Sequence, residues 1–103
     1  MLDRLDVARR REPLVAHPWC DGRELYLVEL SASEAMAAAD DPKRFALWMV
    51  AYGLRDAEGR RVISDDEIER LAETPFRLLA PIAERVQAIS GLSAAARDAT
   101  EKN

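Results

Sequence analysis

The sequence predicts an α+β fold: a small N-terminal β-hairpin followed by a mainly helical body of about four helices. Three observations carry this. Glu24 to Leu30 (ELYLVEL) is rich in strand formers, with Leu25 and Leu27 alternating against Tyr26 and Val28. Helix-start chemistry recurs downstream at Ser31, at Asp41-Pro42, at Ser64 and at Thr74-Pro75. The segments behind those starts place apolar residues at helical spacing. The 103 residues make one domain over 12–92, with a flexible lead-in or short helix over 1–11 and a frayed tail over 93–103.

Leu14 to His17 is the first strand candidate. Pro18-Trp19-Cys20-Asp21-Gly22 is a turn cluster joining it to the strand at Glu24–Leu30. Ser31-Ala32-Ser33-Glu34 is a capping box and opens an alanine-rich helix to about Ala39. Asp41 as N-cap and Pro42 as first residue begin the next helix, which runs through Phe45 to about Leu54. Ser64 to Glu67 is a second capping box, predicting a helix over about Asp65–Ala72. Thr74-Pro75 start the last helix, which ends near Ser90 with Gly91 as its stop. Phe76, Leu79, Ile82, Ala83, Val86 and Ile89 form its apolar stripe, and Pro81 should kink it.

Phe45 to Leu54 is apolar on every side. Phe45, Trp48, Met49 and Tyr52 share one face by i, i+3, i+4, i+7 spacing, and Leu47, Val50, Ala51 and Leu54 share the opposite one. Such a helix must be covered on several sides. It is either a central core helix, or a helix with one face packed against another protein. On the second reading Phe45, Leu47, Trp48, Val50, Ala51 and Leu54 are the candidate partner-binding residues. A charge at Leu47 or Leu54 should then weaken association more than folding.

"GLRDAEGRRVISDDEIE", Gly53 to Glu69, superficially resembles a calcium loop. Calcium needs oxygen ligands at loop positions 1, 3, 5 and 12 with glycine at 6. With Gly59 at 6, position 1 is Leu54, and Arg60 and Arg61 sit beside the proposed cation. The stretch reads instead as a type I turn at Asp56–Gly59, a short extended piece at Arg60–Ile63, and a capped helix start. His17 and Cys20 have H-x-x-C spacing, but the chain holds one His and one Cys, too few for a zinc site. No phosphate-binding loop, nucleophile elbow or other catalytic signature accompanies them. The sequence therefore argues against an enzyme, a metal and a cofactor.

Net charge is −4, with a pI near 5.0. Arg9-Arg10-Arg11 is the one basic cluster, which weighs against nucleic acid because phosphate neutralisation supplies much of that affinity. The longest apolar run is ten residues, too short to span a bilayer, and the N-terminus lacks an apolar signal core. A single cysteine suits a reducing cytoplasm.

The order of these pieces resembles the tail assembly chaperones of long-tailed, siphovirus-type bacteriophages and prophages. "VAHPWCDGRELYLVELSASEAMA" is similar to the family's opening strand, proline–Trp turn, second strand and capped helix. "WMVAYGLRDAEGRRVISDDEIERLAETP" is similar to its central segment, and "VQAISGLS" to the close of its last helix. The alanine-rich Ala35–Ala39 and the position of Pro81 depart from the pattern. The resemblance implies a non-enzymatic protein of the host bacterial cytoplasm, absent from the mature virion. Its implied partners are the tape measure protein, which it keeps soluble, and the tail tube protein, with a homo-oligomer also open. In many members a ribosomal frameshift yields a longer product. Glu101-Lys102-Asn103 can be encoded across a slippery A-AAA-AAC run, so a frameshift is open here too. The alternatives are another small phage adaptor or structural protein for tail or head completion, and an acidic nucleic-acid-associated regulator.

Overall fold

The computed structural model describes residues 8–92. Three strands, β1 (Arg11–Leu14), β2 (Leu25–Val28) and β3 (Leu54–Asp56), form an antiparallel sheet in the order β1-β2-β3. Four helices follow the chain order α1 (Ala32–Ala39), α2 (Phe45–Gly53), α3 (Ile68–Leu71) and α4 (Phe76–Ile89). The α+β class stands, with a sheet of three strands rather than a two-stranded hairpin.

The first strand sits three residues earlier than expected. Ala16 has φ +56°, which ends any extended run through Leu14–His17. β1 pairs Arg11 with Val28 and Leu14 with Leu25. The Glu29 N–H donates to the Arg10 carbonyl, so by alternation Glu12 faces β2 while Pro13 faces the open edge. The proline thus costs no ladder bond, and it blunts an edge that could pair with another chain. The lead-in expected over 1–11 falls mostly outside the described residues, as does the tail at 93–103; Arg11 itself belongs to β1.

The second difference is β3. The apolar run predicts helix through Leu54, yet α2 ends at Gly53 and Leu54 turns extended, with φ −84° and ψ 119°. Leu54 then pairs with Leu27, and Asp56 with Leu25. Periodicity could not show this, because a buried strand and a buried helix are both continuously apolar. The Asp56–Gly59 turn forms as its residues dictate. The Gly59 N–H donates to the Asp56 carbonyl, Gly59 has φ +83°, and Asp56 Oδ1 accepts the Glu58 and Arg60 N–H groups. The expected extended piece at Arg60–Ile63 shrinks to one bridge, Arg61 opposite Arg55.

Helix ends follow cap chemistry with local exceptions. Ser31 Oγ accepts the Glu34 N–H while Glu34 Oε1 accepts the Ser31 N–H, a complete capping box. Pro42–Arg44 form a 3₁₀ turn ahead of α2, and the Asp41 carboxylate makes no cap bond. Asp65–Glu67 likewise form a 3₁₀ turn, leaving α3 only four residues long. α4 begins at Phe76, and the Pro75 carbonyl accepts the Leu78 N–H. It runs unbroken through Pro81, whose ring is exposed. Gly91, at φ +76°, closes it: its N–H reaches the Ala88 carbonyl and the Leu92 N–H reaches that of Gln87.

α2 is the centre of the molecule and packs against α4, α1, α3 and β2. Met49, Val50, Ala51 and Leu54 are fully buried beside Leu25, Leu27, Ile82 and Val86. Gly53 sits where α2 meets α4; a Cβ there would lie 2.5 Å from Val86 Cγ2. The bidentate pair of Arg85 with Glu12, at 2.7 and 2.9 Å, ties α4 to β1.

Candidate partner-binding surface

Burial of α2 follows position along the helix more than face: Phe45 to Trp48 are half-buried and Met49 to Gly53 are buried, except half-buried Tyr52. The two faces drawn from helical spacing therefore do not separate core from surface. Val50, Ala51 and Leu54 are fully buried in this chain, so they form no surface and belong to the core. Phe45, Leu47 and Trp48, in the first turn and a half, are half-buried. The physical reason is length. The nine residues of α2 meet α4 and the sheet at their C-terminal end, at Gly53 and Leu54, and their first four residues lie at the margin of the core.

An ordered aromatic ridge runs from the middle of α2 to its C-terminal end. Trp48 and Tyr52 stack with ring centroids 5.4 Å apart, an i, i+4 pair. The Trp48 Nε1–H donates to Asp41 Oδ2 at 2.9 Å; Asp41 precedes the 3₁₀ turn, and the N-cap of α2 itself is Arg44. Arg61 lies over the Tyr52 ring at 4.9 Å and donates from Nε to the Ala51 carbonyl. Arg61 Nη2 is 2.8 Å from Asp65 Oδ1, yet it is buried without an aligned acceptor, so that contact is one of charge more than of hydrogen bonding. Burial pushes the Tyr52 hydroxyl pKa up, helped by Asp65 and opposed by Arg61.

Beside the ridge, Ala35, Ala39, Pro42, Phe45 and Leu92 line an open groove of about 490 Å³. Ala35 and Ala39 lie one turn apart, and their size lets another element approach the α1 backbone closely. Met36, 68% exposed, stands on the same helix. The candidate residues from the sequence thus divide: Phe45 meets the groove, Leu47 and Trp48 lie in the same half-buried turns, and Val50, Ala51 and Leu54 are elsewhere. The groove's alanines and Leu92 were missed. The only signal for them was the small-residue spacing along α1, which is common in any well-packed helix.

Under the sheet, Glu34 bridges Arg9 at 3.0 Å and Arg55 at 2.9 Å. Burial lowers the Arg55 pKa and the Glu34 charge opposes that shift. The cluster pins α1 to β3 and the segment preceding β1. His17 and Cys20 have structural contacts, within the β1–β2 connection and, for His17, to α4. His17 Nε2 lies 3.0 Å from the Leu78 carbonyl, its Nδ1 accepts the Trp19 N–H, and the Cys20 thiol donates to the Leu14 carbonyl. Among the described residues no group of three or more His, Cys, Asp or Glu is placed to hold a metal. No helix among them is long and apolar enough to cross a membrane.

The architecture has a counterpart among solved structures. The fold is similar to that of the bacteriophage HK97 tail assembly chaperone. The match has a TM-score of 0.62 and covers 79% of this chain and 85% of the HK97 chain, at 16% sequence identity. At that identity the likeness is one of fold. No protein-family model and no curated protein sequence matches the chain.

Proposed function

We propose that this chain is a phage tail assembly chaperone, a non-enzymatic binding protein that keeps the tape measure protein soluble and helps recruit tail tube subunits around it. The observation that carries the reading is the fold likeness to the HK97 tail assembly chaperone over most of both chains. It agrees with the order of motifs from the proline–Trp turn to the closing helix. The half-buried N-terminal end of α2 supplies a physical means. Phe45, Leu47 and Trp48, with the alanine-lined groove, offer partly exposed apolar surface on an acidic domain of net charge −4. An amphipathic helix laid there buries its apolar stripe, while the net charge keeps the complex in solution.

The test is co-expression with the tape measure protein encoded beside this gene. The expected result is a larger soluble fraction and co-purification, both reduced by Leu47→Asp or by Phe45→Asp with the fold retained by circular dichroism. A tape measure protein equally soluble without this chain would sink the reading.

A further inference from the structure

A second groove lies away from the α1–α2 surface. Trp19 from the β1–β2 connection, Leu54 from β3, and Val62 and Ile63 from the segment before α3 line an open cleft of about 450 Å³. That volume is within the range of roughly 300–1,000 Å³ typical of ligand sites. Leu54 is fully buried, while Trp19, Val62 and Ile63 are half-buried, so three large apolar side chains stay partly wet around one depression.

The cleft combines this apolar floor with charged residues at its rim. Arg23 and Arg70 line it and are both exposed. Among the described residues neither forms an ion pair, as is also true of Arg10, Arg11 and Arg77, whereas Arg9, Arg44, Arg55, Arg60, Arg61 and Arg85 do. The Arg23 Nη2 donates to the Trp19 carbonyl at 3.1 Å, which orients the guanidinium at the cleft. One carboxylate, Glu67, also lines the cleft; its Oε1 accepts the Ser64 N–H and hydroxyl, and its charge offsets part of that of Arg70. In a chain of net charge −4, the apolar depression thus has a rim of two arginines against one glutamate, a net positive charge of one.

We propose that this cleft docks a segment of a partner protein in which one or two large apolar residues are flanked by carboxylates. The apolar side chain covers Val62, Ile63 and Trp19, and the flanking carboxylates meet the forked donors of Arg23 and Arg70. Two separated guanidiniums over an apolar floor suit such a peptide better than a nucleic acid, which needs a longer run of cations along its phosphates. The inference does not rest on tape measure binding, since it concerns a different surface and a different ligand chemistry.

The full chain is titrated with acetyl-Glu-Glu-Leu-Phe-Glu-Glu-amide, following the Val62 and Ile63 methyl and Trp19 indole NMR signals. Those signals should shift saturably, and added salt should weaken the effect. Replacing the four glutamates by lysines should abolish binding, and replacing Leu and Phe by Ser should do the same. Arg23→Glu with Arg70→Glu should weaken the peptide by about tenfold or more. If that double variant loses its fold by circular dichroism, Arg70→Gln alone should still weaken it measurably. No shift at millimolar peptide overturns the proposal. So does equal binding of the lysine peptide, stronger binding of a single-stranded oligonucleotide, or movement of the same signals with protein concentration alone, which would mean a second copy fills the cleft.

Discussion

Replacing Gly53 with alanine sets two effects against each other. In a helix, alanine is favoured over glycine by up to about 1 kcal/mol, and less at a terminal position such as this one. Against that, the added Cβ would lie 2.5 Å from Val86 Cγ2, 2.8 Å from Cγ1 and 3.2 Å from Cβ. Optimal carbon contacts lie near 3.5–4.0 Å. A rotamer change at Val86 does not relieve the contact, because its Cβ is itself too close and a β-branched side chain is stiff at χ1. Val86 is fully buried, so α2 and α4 must move apart or distort. Overpacking of this kind costs about 1–3 kcal/mol. The expected net loss is about 1–2 kcal/mol, or roughly 5–10 °C in Tm for a domain of this size. Urea unfolding followed by tryptophan fluorescence measures it. Val86→Ala alone should also destabilise, by about 2–3 kcal/mol. The double variant should cost less than the sum of the two, by about 1 kcal/mol, because Val86→Ala removes the methyls that the new Cβ meets and that Cβ fills part of the space they leave. A stabilised Gly53→Ala, or strict additivity in the double variant, would refute the close-approach argument.

Two further outcomes are expected. Leu54→Asp puts a charge into the core and should cost about 3–5 kcal/mol, whereas Leu47→Asp, at a half-buried position, should cost about 1 kcal/mol; equal losses in urea unfolding would contradict the burial gradient along α2. Arg85, first by its hydrogen bond and then by its charge, holds the Glu12 carboxyl below its ordinary value of 4.5. Because the folded value is the lower one, the stabilisation is present above pH 4.5 and is lost as pH falls through the folded value. The Tm gap between the native chain and Glu12→Gln should therefore close on acidification below that point; a gap independent of pH would show that the pair contributes nothing through its charge.

Much of the fold was legible because its signals are local. The Ser31 capping box, the Asp56–Gly59 turn and the Gly91 stop each depend on residues within five positions of one another. Their chemistry works the same way in a peptide or a protein. The boundaries that moved were those decided by distant partners. Leu54 leaves the helix because Leu27 offers a strand to pair with. The first strand shifts to Arg11–Leu14 because Ala16 turns left-handed and β2 fixes the register. The Asp41 carboxylate makes no cap bond and accepts the Trp48 indole N–H instead.

The candidate surface was only half legible for the same reason. Composition and spacing alone established that Phe45 to Leu54 is an apolar helix needing cover on several sides, in an acidic chain with too few His and Cys residues for a zinc site. Which of those residues are covered is a property of neighbours far along the chain. α4 reaches α2 through Val86 at Gly53, and the sheet takes up Leu54, so burial deepens toward the C-terminal end of α2 and leaves Phe45, Leu47 and Trp48 at its margin. The grooves beside Ala35 and beside Val62 were likewise decided by tertiary structure, since each draws its walls from segments that only packing brings together.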